Sequence, residues 1–265
     1  MSACGAVVGS GAGDRLAMAV KGVVVEDGKS GLTAVLVHGA WADGSSWQRV
    51  IASLRRLGVA VTAAPIPLTS LGDDVAALDR AIDRAIDRVG GPVVLVAHAY
   101  AGAVIGSSTH PRVAALVFVA ALAPDKGETV ADVFYRNPSH ETAPNLSPDR
   151  DGYIWLPSTS FASAFAQHAR AEDHAWLAAV QRPIHVDCIQ HPVPAPRWRD
   201  LPTWFLHAEE DRMIASVTQA FMADRMDATT HVHRTDHAPM ISRPDAVVDV
   251  ITAAMGGVRA TARPR

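Results

Sequence analysis

From Thr33 onward, short apolar runs alternate with stretches of helical periodicity, and this alternation limits the possible folds more than any other feature of the chain. Runs of strand length lie at Ala34–Val37, Val59–Ala64, Val93–Ala97, Ala114–Ala120, Thr203–His207 and His231–His233. Most are continuously hydrophobic rather than alternating, which requires burial on both faces. Between them, Trp47, Val50, Ile51, Leu54 and Leu57 trace a helical stripe that stops at Gly58. Leu71, Val75, Leu78, Ile82, Ile86 and Val89 trace a second, stopped by Gly90-Gly91. Ser216–Met226 and Asp245–Met255 read as two further helices. Buried strands and one-sided helices are satisfied together by an α/β fold, a mostly parallel, doubly wound sheet with helices on both faces.

The rhythm breaks over 124–196, which has no strand-like run, is dense in proline, and carries two short amphipathic patches at Phe161–Ala169 and Asp173–Val180. Tyr153, Trp155, Phe161, Phe165, His168 and Trp176 make it aromatic, as expected of a small helical cap over a pocket. The expected organisation is therefore a core over 32–123 and 197–256, a cap over 124–196, a flexible segment over 1–31 and a flexible tail over 257–265. Within the first segment, Val23-Val24-Val25 could add an edge strand.

A chain of 265 residues with 49% hydrophobic content can build one sizeable core. Lys and Arg total 24 against 27 acids, and the only basic run is the tail with Arg259, Arg263 and Arg265, so no nucleic-acid partner is expected. Cys4 and Cys188 are the only cysteines, too few for a disulfide framework and consistent with a reducing cytoplasm. No stretch approaches the ~20 apolar residues of a membrane span. The N-terminal stretch lacks a basic start and carries Asp14, Glu26 and Asp27, unlike a signal peptide. The sequence leaves a homodimer open.

The chemistry centres on Val93 to Gly102, where an apolar strand runs into a tight turn of small residues and then into a small-residue helix. This is the layout of the G-x-S-x-G turn, which lifts one side chain above the sheet. Here Ala97, Ala99 and Ala101 occupy the motif positions, so Ala99 stands where an attacking serine would. Acyl transfer by serine needs a base, an acid that orients it, and donors for the oxyanion. On sheets with this turn their chain order is nucleophile, acid, histidine. Asp211 follows the run Thr203–His207, and His237 follows His231–His233, so the order 99, 211, 237 is met. Glu209, Glu210 and Asp236 are rival acids close by, and Asp125 is a more distant one. The loop His38-Gly39-Ala40-Trp41 after the first run would supply one oxyanion amide at Ala40, and Tyr100 the other.

These residues resemble an α/β-hydrolase of the esterase and hydroxynitrile-lyase branch, which includes plant methyl-salicylate esterases. The resemblance rests on His38-Gly39-Ala40-Trp41 with Trp47, the turn Ala97–Gly102, Pro202-Thr203-Trp204-Phe205 leading to Asp211, and Asp236-His237-Ala238-Pro239 followed by Pro244. It spans about residues 32–256 and implies hydrolysis of small to medium hydrophobic esters or lactones through a Ser-His-Asp acyl-enzyme, without cofactor or metal. Substrate contacts are expected from His38, Trp41, His98, Tyr153, Trp155, Phe161 and Phe165. The departure is Ala99. An otherwise complete acid, base and oxyanion loop favours a Ser-to-Ala inactive form of such an enzyme over natural loss of the nucleophile, since natural loss would free the other residues to drift.

Other chemistries fit less well. Family lyases carry a lysine directly after the catalytic histidine and a threonine in the early loop, where this chain has Ala238 and Gly39. A cofactor-free dioxygenase could work from the His–Asp pair alone and would tolerate Ala99, and a ligand-binding protein without catalysis is the non-enzyme alternative. The run His231-Val232-His233-Arg234-Thr235-Asp236-His237 mimics an H-x-H-x-D-H zinc motif but misses its spacing by one residue and has no histidine downstream.

Overall fold

The computed structural model describes residues 1 and 31–261. The segment with Val23-Val24-Val25, the N-terminal cysteine and the last four residues lie outside the described part. In chain order the elements are β1 Thr33–Val37, α1 Gln48–Arg56, β2 Ala60–Ala64, α2 Leu71–Val89, β3 Val93–His98, α3 Ala101–Ser107 and β4 Val113–Val119. The excursion follows, with α4 Val130–Phe134, β5 Tyr153–Ile154, a π-helical turn Phe161–Phe165, α5 Ala171–Val180, β6 Ile184–His185 and α6 Asp187–Gln190. The core resumes with β7 Thr203–Ala208, α7 Ser216–Arg225, β8 Thr229–His233, α8 Pro239–Ser242 and α9 Pro244–Thr261.

β2, β1, β3, β4, β7 and β8 lie side by side in that order and pair in parallel. β1 and β3 are buried at every position, which accounts for their unbroken hydrophobic runs. β8 is an edge strand with no fully buried position. The stripes of α1 and α2 seat Val50 and Leu54, and Leu78 and Ile82, in the core. Both helices stop where expected, at Gly58 and Gly90, whose φ values of 73° and 70° suit a residue without a Cβ. α2 starts at Ser70, whose side chain accepts the Asp73 amide.

Two expectations need correction. The excursion does contain strands: β5 and β6 pair antiparallel through Tyr153 with His185 and Ile154 with Ile184. Two residues per strand are too few to leave a hydrophobic signature. The last helix also runs on to Thr261 rather than giving way to a tail at 257. Val258 remains buried on its inner face, so packing carries the helix past Gly256-Gly257.

The sheet order reverses between β1 and β3, since β1 leads outward to β2 while β3 leads the other way. Such a switch point opens a crevice at the carboxyl ends of the two strands. The loop with Ala40 follows β1 and Ala99 follows β3, so both candidate sequences meet there.

Candidate active site

Ala99 has a φ of 50°, between the end of β3 and the start of α3. Its carbonyl accepts the amides of Gly102 at 3.1 Å and Leu122 at 2.9 Å, which fix the turn from both sides. Trp41 and Ala120 also have positive φ, at 58° and 44°, beyond the ends of β1 and β4. Each such residue costs of order 1–3 kcal/mol and persists only where the surrounding fold imposes it. Gly39 lets the β1 loop close on this turn, because a Cβ there would meet the His98 carbonyl at 2.8 Å and the Ala99 Cβ at 2.9 Å.

His237 donates from Nδ1 to Asp211 Oδ2 at 2.8 Å, and both side chains are buried. The same oxygen accepts Gln219 Nε2 at 2.8 Å, while Oδ1 accepts the Met213 and Ile214 amides at 2.7 and 2.9 Å. Four donors thus hold the carboxylate, which fits a role in orienting the imidazole. The rival acids are engaged elsewhere. Asp236 accepts the Ser242 hydroxyl at 2.6 Å and the His168 amide at 2.8 Å, Glu210 pairs with His168 and Arg234, and Asp125 pairs with Arg199. Glu209 is placed with its amide on the His233 carbonyl, and no bond joins its carboxylate to His237. Gln219 was not singled out in the sequence, since a glutamine in an amphipathic helix carries no signal of its own.

His98 is wholly buried and donates from Nε2 to the His237 carbonyl at 2.7 Å, so it braces the backbone of the histidine loop from behind. His38, equally enclosed, donates from Nδ1 to the Gly39 carbonyl at 3.0 Å. Neither side chain lines the cavity, which corrects the expectation that both touch substrate. Burial pushes the His38 imidazole down to about 4, with the Gly39 bond offsetting part of the effect, and drives His98 well below its ordinary value. An unfolded chain takes up these protons near pH 6.5, whereas the folded one resists them. Their contribution is therefore complete above about pH 6.5 and is lost as pH falls towards the folded value. Urea midpoints should drop between pH 7.5 and pH 5 by the equivalent of about 2 kcal/mol for His38 alone, and His38→Asn should flatten that slope. An unchanged slope in the variant would show that His38 does not carry it.

A narrow cavity of about 60 Å³ opens in front of His237 and Ala99. Ala40, Trp41 and Tyr100 form its floor, and Leu122, Ile154, Ile184, Ile189, Met213 and Ile214 much of its wall. Tyr100 precedes the first turn of α3, so its amide has no acceptor within the helix. Of the cap aromatics, Phe165 stands edge-on to His237 with ring centres 5.1 Å apart and shields the imidazole. Phe161 packs behind it at 5.3 Å, and Tyr153 packs against His185 at 5.0 Å. Trp155 is 51% exposed and bonds Asp149. Tyr153, Trp155, Phe161 and Phe165 therefore do not line the cavity, contrary to expectation; aliphatic residues of the cap, with Phe134 and Tyr135, do so instead. Aliphatic side chains are common in any core, so no sequence signal marked these as walls.

One buried acid was also missed. Asp74 on α2 accepts the Leu68 amide and the Tyr100 hydroxyl, each at 2.7 Å, and the Cys188 thiol at 3.6 Å. Burial raises its carboxyl, and the thiol and phenol beside it are raised as well. The contact ties a core helix to the turn after β3 and to α6 of the cap. Its sequence neighbour Asp73, bonded to Ser70, has the local position that a helix start explains.

A strained tip on the switch point, an acid–histidine pair and a cap over an apolar cavity define an α/β-hydrolase type of site. The chain belongs to the alpha/beta hydrolase family, whose model matches residues 34–250. It is 25% identical over 247 residues to a probable hydrolase, R7, of Phoma sp., covering 84% of this chain and 97% of that protein. Among solved structures it resembles polyneuridine aldehyde esterase, with a TM-score of 0.72 at 18% identity over 84% of this chain and 98% of the other. Tomato methylketone synthase I, solved with 2-tridecanone, gives 0.69 at 18% over 85% and 99%. No helix among the described residues is long and apolar enough to cross a membrane.

Proposed function

We propose that the chain carries an esterase-type site for small to medium apolar esters or lactones. Ala99 takes the position of the attacking serine, so the protein is a Ser-to-Ala inactive form that binds such a compound without turning it over. The observation that carries this reading is the buried Asp211–His237 pair, bonded at 2.8 Å and opening on the same cavity as Ala99. A serine at that tip would set a hydroxyl beside an oriented base, with the Ala40 and Tyr100 amides as oxyanion donors. Alanine lacks only the oxygen that would form the acyl bond. The walls favour an apolar ligand with one carbonyl, because few polar groups face it. The esterase among the similar structures supports the class of chemistry, and the mechanism calls on no cofactor.

A second reading is favoured by the same pair being complete with no nucleophile before it. There His237 acts as general base on the ligand itself, as in a cofactor-free dioxygenase or lyase. Ala99→Ser tested on aryl, methyl and lactone esters separates the two. Hydrolysis gained in that variant supports the first reading. No gain on any ester, with turnover of a ligand by the unmodified protein that His237→Ala abolishes, replaces it by the second.

A further inference from the structure

Four walls of the cavity before His237 have a second face. Phe134, Tyr135, Leu146 and Met213 also line an adjoining cavity of about 150 Å³, whose far side includes the exposed Ser139 and Asn145. Met213 is buried and Leu146 half-buried, whereas Tyr135 is 59% exposed, so the second cavity leads from the interior to the surface beneath α4. The inner space offers polar partners at one end only. There stand His237 and the Ala40 and Tyr100 amides, while the Tyr100 hydroxyl is taken by Asp74 at 2.7 Å. A ligand with polar groups along its length would leave them unpaired against Ile154, Ile184 and Ile189.

We propose that the ligand is an elongated, unbranched acyl or alkyl compound with a single carbonyl head, an inference that rests on the esterase-type reading of the site. The head lies between His237 and the two amides, and the tail passes Leu146 and Met213 into the outer cavity. Leu146 and Met213 thereby set chain-length preference. Met213 is tied to the acid as well, since its amide bonds Asp211 at 2.7 Å, so the neck is held at a fixed distance from His237.

The test uses the unmodified protein, in which Ala99 leaves esters intact, and a series of straight-chain methyl esters from hexanoate to tetradecanoate. Dissociation constants are read from calorimetry or from the change in total tryptophan fluorescence, to which Trp41 on the cavity wall contributes. Each added methylene should tighten binding about fourfold while it enters apolar space. The gain should fall off beyond a break, where the tail clears Met213 and meets solvent. A compact cage ester of equal carbon number should bind at least tenfold more weakly than the straight chain. Leu146→Trp should move the break to shorter chains. Ser139→Trp, on the outer wall and less demanding of the core, should move it by less in the same direction. Affinity that is flat with chain length, a cage ester that binds as well as the straight chain, or a break unmoved in folded variants overturns the inference. In those cases ester binding itself survives, and with it the esterase-type reading; absence of binding by every ester overturns both.

Discussion

Ala99→Ser should raise hydrolysis of a responsive ester by at least about 10³-fold, given that loss of a triad nucleophile costs about 10⁶ in kcat in a well-studied serine protease. The change adds one oxygen to a tip that already has the strained φ of 50°, so the backbone need not move to receive it. His237 is already oriented by Asp211, whose four donors leave the carboxylate little freedom. The double variant Ala99→Ser/His237→Ala should be as inactive as the unmodified protein, because members of a triad act as a unit. Initial rates with an aryl ester, measured beside a free-base control, decide the matter. A gain that persists without His237 would mean that the new hydroxyl is not activated by the imidazole.

Gly102→Ala should destabilise the protein by about 3 kcal/mol or more, whereas Gly106→Ala, four residues on in the same helix, should be neutral or stabilising. A Cβ at Gly102 would stand 2.2 Å from the Leu122 carbonyl and about 3 Å from Phe118 and Ala121, backbone and core that cannot yield. At Gly106 the nearest atoms, in Pro196 and Trp198, lie at 3.8 Å, an ordinary contact. There the gain of helix propensity, up to roughly 1 kcal/mol, is free to act. Urea midpoints of the two variants measure the contrast. Equal effects would show that the close approach of α3 to the strand β4 does not hold the turn in place.

The residues most legible in the sequence were those whose role is local or follows a fixed chain order. The parallel sheet could be read because β1 and β3 are hydrophobic at every position, a pattern that only two-sided burial explains. Ala99, Asp211 and His237 could be picked out because each follows a run of strand length, and such parallel strands end at one edge of the sheet. Small residues around Gly102 marked the turn through what they lack, namely side chains that would hold strand and helix apart.

What the sequence left open depends on contacts between distant segments. Aromaticity suggested Tyr153, Trp155, Phe161 and Phe165 as walls of the cavity, but an aromatic ring packs as readily on a histidine or another ring as on a ligand. The sequence by itself determined the strands of the parallel sheet, the turn and the order of acid and base, because hydrophobic periodicity and steric demand act over a few residues. Only the tertiary structure decided which acid faces His237, that Asp74 joins α2 to Tyr100 and Cys188, and which aliphatic side chains enclose the cavity. These are matters of distance between residues far apart in the chain, such as Asp74 and Cys188, 114 positions apart, brought together by how the segments fold back over the sheet.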